Sequence, residues 1–232
     1  MRVTEIFHSL QGEGMLAGVP SVFVRLAGCP LRCRWCDTAY AWDYSAGTEH
    51  TLDGLVAEVG RIACRHVVVT GGEPLVGPNL TARPGLVDLT CRLKDLGKHV
   101  TIETAGVLFV PGLACDLMSL SLKLSHSTPL PADLAAEHER IRRDLEQAKA
   151  LIETYPYQLK FVIESHDDST EVMEILGRLG SVDRERVLLM PQARRREEMV
   201  ERAPMVAELC LETGFRFGPR LQTTVWDNRR GR

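Results

Sequence analysis

A chain of 232 residues, 44% hydrophobic and 25% charged, carrying a net charge of −3, has the composition of an ordinary globular protein. That weakly acidic balance excludes bulk nucleic-acid binding, and no apolar run approaches the ~20 residues of a membrane span. The first residues, Met-Arg-Val-Thr-Glu-Ile-Phe, lack a signal peptide's apolar core. The expectation is therefore a cytoplasmic protein with reduced thiols and no membrane or nucleic-acid partner.

In chain order, Val3 to Phe7 alternates as a first strand, and a loop holding Gly12, Gly14 and Gly18 follows. Ser21 to Leu26 reads as a buried strand that delivers a cysteine-rich loop. Thr51 opens a helix to about Arg65. Val67 to Thr70 is a strand, stopped by Gly71-Gly72-Glu73-Pro74. A helix over Gly85–Leu96 precedes a strand at His99–Glu103, and Cys115 to Leu122 is the next strand. Pro131 to Thr154 reads as one long charged helix. The last units are a strand at Leu159–Glu164, a helix at Ser169–Leu179, a strand at Val187–Met190 and a helix at Glu197–Thr213. A final strand starts at Phe215.

Strands alternating with helices predict parallel β/α units. Some six units are too few for a closed eight-fold barrel. The expected fold is a partial, TIM-like β/α barrel formed by one domain over residues 1–232. Ligands in such folds sit beyond the carboxyl ends of the strands. The loops after Phe7, Leu26, Thr70, Glu103 and Met190 are all expected there.

The loop from Cys29 to Thr38 reads Cys-Pro-Leu-Arg-Cys-Arg-Trp-Cys-Asp-Thr. Thiolates are soft ligands that serve iron–sulfur clusters or zinc. Cys29, Cys33 and Cys36 can hold three irons of a cubane and leave the fourth open. Zinc would need a fourth ligand, such as Asp37 or His50. Cys64, Cys91, Cys115 and Cys210 are scattered and read as small core residues. His126 and His138 read as polar surface residues, and Arg194–Arg196 as a solvated face. The basic end from Arg229 reads as a tail or a ligand contact.

The spacing Cys-x3-Cys-x2-Cys, followed one β/α unit later by Gly71-Gly72-Glu73-Pro74, resembles the radical S-adenosylmethionine (SAM) enzymes. The block from Phe7 to Thr38 narrows this, with Gln11-Gly12-Glu13-Gly14, Arg25-Leu26-Ala27-Gly28-Cys29 and Cys36-Asp37-Thr38. Ile102 to Gly106, Ser121-Leu122-Lys123 and Trp226-Asp227-Asn228-Arg229-Arg230-Gly231 add to it. Together they resemble the 7-carboxy-7-deazaguanine synthase family of the queuosine and deazapurine pathway.

The resemblance implies one [4Fe-4S] cluster per chain on Cys29, Cys33 and Cys36, which serve catalysis by generating the radical. It implies SAM bound by Trp35, Cys36, Asp37, Gly72, Ser121, Leu122, Lys123, Met190, Pro191, Gln192 and Ala193. It places Mg2+ on Thr38, whose hydroxyl read alone is a turn cap. It assigns Leu10, Gln11, Gly12, Glu13, Arg25 and Thr70 to the substrate, 6-carboxy-5,6,7,8-tetrahydropterin. An Arg25 fork suits that carboxylate, and Gln11 offers both donor and acceptor. The implied reaction is reductive SAM cleavage, hydrogen abstraction from the pterin, ring contraction and loss of ammonia, with SAM regenerated. A flavodoxin- or ferredoxin-class electron donor and a homodimer come with it.

The chain departs from the family pattern at Met190 (Gln elsewhere), Ala105 (Ser), Gln222 (His) and Asp227 (Gly). These departures are expected near the substrate pocket, where they would alter substrate choice. Two other readings stand beside this one. A glycyl-radical activating enzyme shares the cysteine spacing, although Gln11 to Gly14 and Thr38 argue against it. A non-enzymatic, zinc-stabilised binding module is the second.

Overall fold

A computed structural model describes residues 1–130 and 132–231. The chain enters through β1 (Arg2–Leu10) and β2 (Pro20–Leu26), which pair antiparallel, and β3 (Thr48–Glu49) adds to the free edge of β1. The alternation then begins. Helix α1 (Leu52–Arg61) leads to β4 (His66–Gly71), α2 (Leu86–Asp95) to β5 (His99–Thr104), and a loop to β6 (Leu117–Leu122). Helices α3 (Ala132–Arg142) and α4 (Glu146–Thr154) precede β7 (Tyr157–Ile163). Helix α5 (Asp168–Leu179) precedes β8 (Val187–Pro191), and α6 (Arg196–Thr213) precedes β9 (Arg216–Phe217). Helix α7 (Leu221–Trp226) closes the described chain.

Among the described residues the sheet runs β3-β1-β2-β4-β5-β6-β7-β8-β9, parallel from β2 onward. Its first and last strands do not pair, so the barrel is incomplete. It is nevertheless curled. Neighbouring strands lie about 4.8 Å apart, so β1 and β7, five places apart, would be ~24 Å apart in a flat sheet. Instead the loop after β1 hydrogen-bonds β7, Met15 N donating to Gln158 Oε1 at 2.7 Å.

Local chemistry sets these elements. Val67, Val68 and Val69 are β-branched and buried on both faces, as a central parallel strand requires. The Thr51 side chain caps α1 by accepting from Gly54 N, and Leu55 and Val59 turn one face of that helix inward. Gly214, at φ 72°, ends α6 in the left-handed conformation. Full burial of each such Leu or Val contributes about 1.5–3 kcal/mol, which is why the outer face of the sheet anchors the helices. No helix among the described residues is long and apolar enough to cross a membrane.

Three expectations are corrected. The exit of β1 lies at the opposite end from the other loops. β1 continues to Leu10 and runs antiparallel, pairing Leu10 with Pro20 at the entry of β2. Alternation revealed the strand but not its direction. The long helix predicted from Pro131, which lies outside the described residues, is two helices. Asp144 Oδ1 accepts from Glu146 N at 3.2 Å, a local bond that competes with the helix ladder. Of the four scattered cysteines, only Cys210 is buried; Cys64 and Cys115 are half-buried and Cys91 is exposed.

Candidate active site

A cavity of about 250 Å3 opens inside the curl of the sheet. One wall is the cysteine loop. Cys29 and Cys33 are each 7% exposed, and with Cys36 they pack among Leu31, Ile141, Ala105 and Val107. Burial pushes all three thiols up, Cys33 to about 11, so a ligand-free loop keeps its protons and metal binding must displace them.

The loop is pinned by backbone bonds. Gly28 N and Cys29 N donate to Ala41 O at 2.8 Å and Trp42 O at 3.1 Å. Glu73 N donates to Gly28 O at 2.8 Å and Gly72 N to Leu26 O at 3.1 Å. A Cβ on Gly72 would meet Gly28 O at 2.6 Å, Ala41 O at 2.7 Å and the Cys29 side chain at 2.7 Å, so only glycine fits. Glu73 is fully buried and accepts from Thr104 Oγ1 at 2.6 Å, Ala105 N at 2.7 Å and Leu75 N at 3.1 Å. Burial outweighs those donors and raises its pKa. The Arg83 guanidinium donates to the carbonyls of Ala27, Glu73, Pro74 and Val76. These bonds tie the loops after β2, β4 and β5 into one rigid rim.

Two histidines complete the wall and correct the surface reading. His138 is 1% exposed. Its Nδ1 accepts from Arg32 N at 3.2 Å, and its Nε2 lies 2.9 Å from Ser127 Oγ. Since Ser127 Oγ donates to Leu124 O, Nε2 carries the imidazole proton. Burial, then the Arg142 charge, lowers the His138 pKa to about 4. His126 Nδ1 accepts from Trp35 Nε1 at 2.9 Å, while its Nε2 lies 3.0 Å from Val162 O. Lys123 Nζ sits 5.4 Å from the Trp35 ring centre and donates to Ser121 Oγ at 2.9 Å.

The opposite side is charged. Glu13, on the loop after β1, accepts from Lys160 Nζ at 3.0 Å, Arg220 Nε at 3.1 Å and Gln222 Nε2 at 2.8 Å. Burial alone would raise its pKa, but Lys160 and Arg220 outweigh it and hold the carboxyl well below its usual range. Lys160 Nζ also reaches Glu103 Oε1 at 3.3 Å. Burial disfavours its charge, yet Glu103 and Glu13 together raise its pKa, so it stays an ammonium. Gln11 Nε2 donates to Glu103 Oε1 at 3.2 Å. Arg25 Nε pairs with Glu5 at 2.7 Å, and its terminal nitrogens make no hydrogen bond among the described residues.

All six positions assigned to substrate, Leu10, Gln11, Gly12, Glu13, Arg25 and Thr70, line this cavity. So do Cys29, Cys33, Trp35, Cys36, Asp37, Thr38, Gly72, Ser121, Lys123 and Met190. Leu122, Pro191, Gln192 and Ala193 do not. Strand alternation turns Leu122 into the outer core, away from Ser121 and Lys123. Met190 packs its Cγ against Gly218 and presents an apolar wall, with no Gln192 side chain beside it. The Thr38 hydroxyl caps no helix; it donates to Asp37 Oδ1 at 2.8 Å. Asp227 lies off the cavity, which corrects its expected place. It ends α7 at φ 54° and accepts from Arg196 N at 2.8 Å, so a position favouring glycine is filled by a residue that tolerates left-handed backbone.

Lys160 and Arg220 had no signal in the sequence. Their partners lie 147 and 207 residues away, and only the curled sheet joins them.

The donor set fits a cluster. Among the described residues no group of three His, Cys, Asp or Glu side chains is placed to hold a single metal ion. His50 lies outside the cavity beside Glu58, and Asp37 is engaged by Arg220, so no four-ligand zinc set assembles. Three thiols, two buried and one half-buried, on a loop packed against Gly72 suit three corners of a cubane. Asp37 and Thr38 add hard oxygens at its edge, the donor type that magnesium takes.

A partial β/α barrel with this loop defines the radical SAM superfamily, whose sequences match residues 24–184. The chain is 40% identical to 7-carboxy-7-deazaguanine synthase of Rhodopirellula baltica over 99% of its length and 88% of the relative's. It is also 40% identical to the enzyme of that name from Pyrobaculum aerophilum, covering 100% of this chain and 97% of that one. The crystal structure of QueE from Escherichia coli superposes with a TM-score of 0.67 at 26% identity, over 94% of this chain and 92% of that one. The chain belongs to the 7-carboxy-7-deazaguanine synthase family. With that, the activating-enzyme and zinc-module readings fall.

Proposed function

We propose that residues 1–232 work as one radical SAM domain that converts 6-carboxy-5,6,7,8-tetrahydropterin to 7-carboxy-7-deazaguanine with loss of ammonia. The observation that carries this reading is the convergence of Gln11, Glu13, Arg25 and Thr70 with the cysteine loop on one cavity. Cys29, Cys33 and Cys36 would hold the [4Fe-4S] cluster, Trp35, Gly72, Ser121 and Lys123 would flank SAM, and Thr38 would take Mg2+. When bound, these groups supply hydrogen-atom abstraction by one-electron chemistry and a hard cation for the carboxylate.

The chain's own residues bind and orient. Arg25 presents its terminal nitrogens to the pterin carboxylate as a fork. Glu13, Gln11 and Glu103 offer acceptors to the ring's N–H edge. Lys160 Nζ, kept protonated between two carboxylates, is a charged donor on that floor. Apolar packing of Leu31, Ala105 and Val107 around the thiols keeps water from the reacting atoms.

The electron comes from an external donor of the flavodoxin or ferredoxin class. Pairing of two copies belongs to the same reading, and a monomeric mass in solution would refute it.

The test is anaerobic. The iron- and sulfide-loaded chain is incubated with the carboxy-tetrahydropterin, SAM, Mg2+ and a reductant. One 7-carboxy-7-deazaguanine per ammonia released, with SAM not consumed, is expected. SAM consumed with the pterin intact would refute the reading. Arg25→Ala should weaken pterin binding by about 1.5–3 kcal/mol, or tenfold to a hundredfold, the range for a hydrogen bond to a charged group. Thr38→Ala should abolish the response to Mg2+.

A further inference from the structure

Arg220 joins three segments that are remote in sequence. Its Nε donates to Glu13 Oε1 at 3.1 Å and its Nη2 to Asp37 Oδ2 at 2.8 Å, while Nη1 donates to the Ala193 carbonyl. The residue is 6% exposed, so this charge is buried and its forked donors are committed to those acceptors. Its main chain is tied down as well. The next residue, Leu221, donates its N–H to Gly12 O at 2.9 Å.

The three partners have different tasks. Glu13 belongs to the pterin floor, Asp37 follows Cys36 on the loop beside SAM, and Ala193 follows the exit of β8. Beyond them the chain of charges continues in both directions. Glu13 leads to Lys160 and Glu103, and Asp37 accepts from the Thr38 hydroxyl. One planar guanidinium therefore fixes the distance between the substrate's side of the cavity and the radical source. Hydrogen abstraction needs reacting atoms about 3–3.5 Å apart, and a misplacement of ~1 Å costs about a hundredfold.

We propose that Arg220 is a positioning residue that registers the pterin subsite against the SAM subsite, so that occupancy of one tightens the other. The proposal rests on the reading of the cavity given above. Lysine in its place keeps the charge but has no planar fork to span three acceptors. An Arg220 that merely pinned α7 would, when lost, loosen both subsites alike and leave their ratio unchanged.

The experiment measures pterin affinity by anaerobic calorimetry on the cluster-loaded, oxidised chain, where no turnover occurs, with and without saturating SAM. The wild type should bind pterin about fivefold or more tightly in the presence of SAM, the lower range of coupling between sites. Arg220→Lys should erase that ratio while still binding each ligand alone. Full coupling in Arg220→Lys, or none in the wild type, would overturn the proposal. Should Arg220→Lys not fold, Asp37→Asn decides. It leaves the Glu13 and Ala193 contacts in place and must lower the coupling, and undiminished coupling would overturn the proposal. A wild type that binds no pterin at all would overturn the functional reading and this proposal with it.

Discussion

The cysteine wall is held mainly by uncharged contacts, the floor opposite by full charges. Around Cys29, Cys33 and Cys36 most bonds are backbone to backbone, backbone to a neutral His138, and Trp35 to His126, and the Arg32 and Arg83 guanidiniums reach main-chain carbonyls of the rim, Cys29 O and Ala27 O among them. On the floor, Glu103, Lys160, Glu13, Arg220 and Asp37 alternate in sign. The difference follows from what each side must bind. Soft thiolates carry their own negative charge, and the two carboxylates nearest them are engaged elsewhere, Glu73 by Thr104, Ala105 and Leu75 and Asp37 by Arg220. A flat, polar ring is recognised by donors and acceptors that are already in place, and buried charges hold those only when paired.

The largest way to break this contrast is at Lys160. Lys160→Met removes the buried ammonium that the half-buried Glu13 and Glu103 share. Unfolding in urea should show a loss of about 3–5 kcal/mol, the cost of breaking a buried pair. Adding Glu13→Gln should restore part of it; a strictly additive double variant would mean the two residues do not share the pair. On the neutral side, Gly72→Ala forces a methyl group into Gly28 O and Ala41 O. We expect a loss of about 1–3 kcal/mol, as for overpacked cores, together with fewer irons bound per chain. A full iron complement would show that the rim tolerates the shift.

A third effect is one of pH. The folded-state pKa of His138 lies near 4, below the ordinary 6.5. As pH falls through that window the unfolded chain binds a proton that the folded chain refuses, so stability declines from about pH 6.5 toward pH 4. His66 is shifted in the same direction, so the comparison must be with a variant. His138→Gln should flatten the dependence of melting temperature on pH between those limits. An unchanged slope would mean that this imidazole is not held neutral.

What the sequence made legible follows the same division. The cysteine loop and the Gly71–Pro74 turn are contiguous, and their chemistry depends on spacing alone, so both could be placed before any fold was known. The floor depends on which strands face each other. Lys160 sits in a run, Tyr157–Ile163, that reads as a plain strand, and nothing local distinguishes its buried ammonium from a surface one. Arg220 looks equally ordinary without the turn that carries it to Glu13. His138 was hidden in the charged helix α3, whose inward face became visible only with Ile141 packed on the loop. The alternation of strands and helices predicted the parallel sheet, but not that β1 runs against it, because a strand's pattern is the same in both directions.

The division itself can be tested with one titration. Cys29, Cys33 and Cys36 are replaced together by alanine, and binding of the carboxy-tetrahydropterin is measured without SAM. The variant should hold no iron yet bind the pterin as the wild type does, because the charged floor is built from other residues. Loss of pterin binding along with the iron would contradict the account, since wall and floor would then be a single site rather than two.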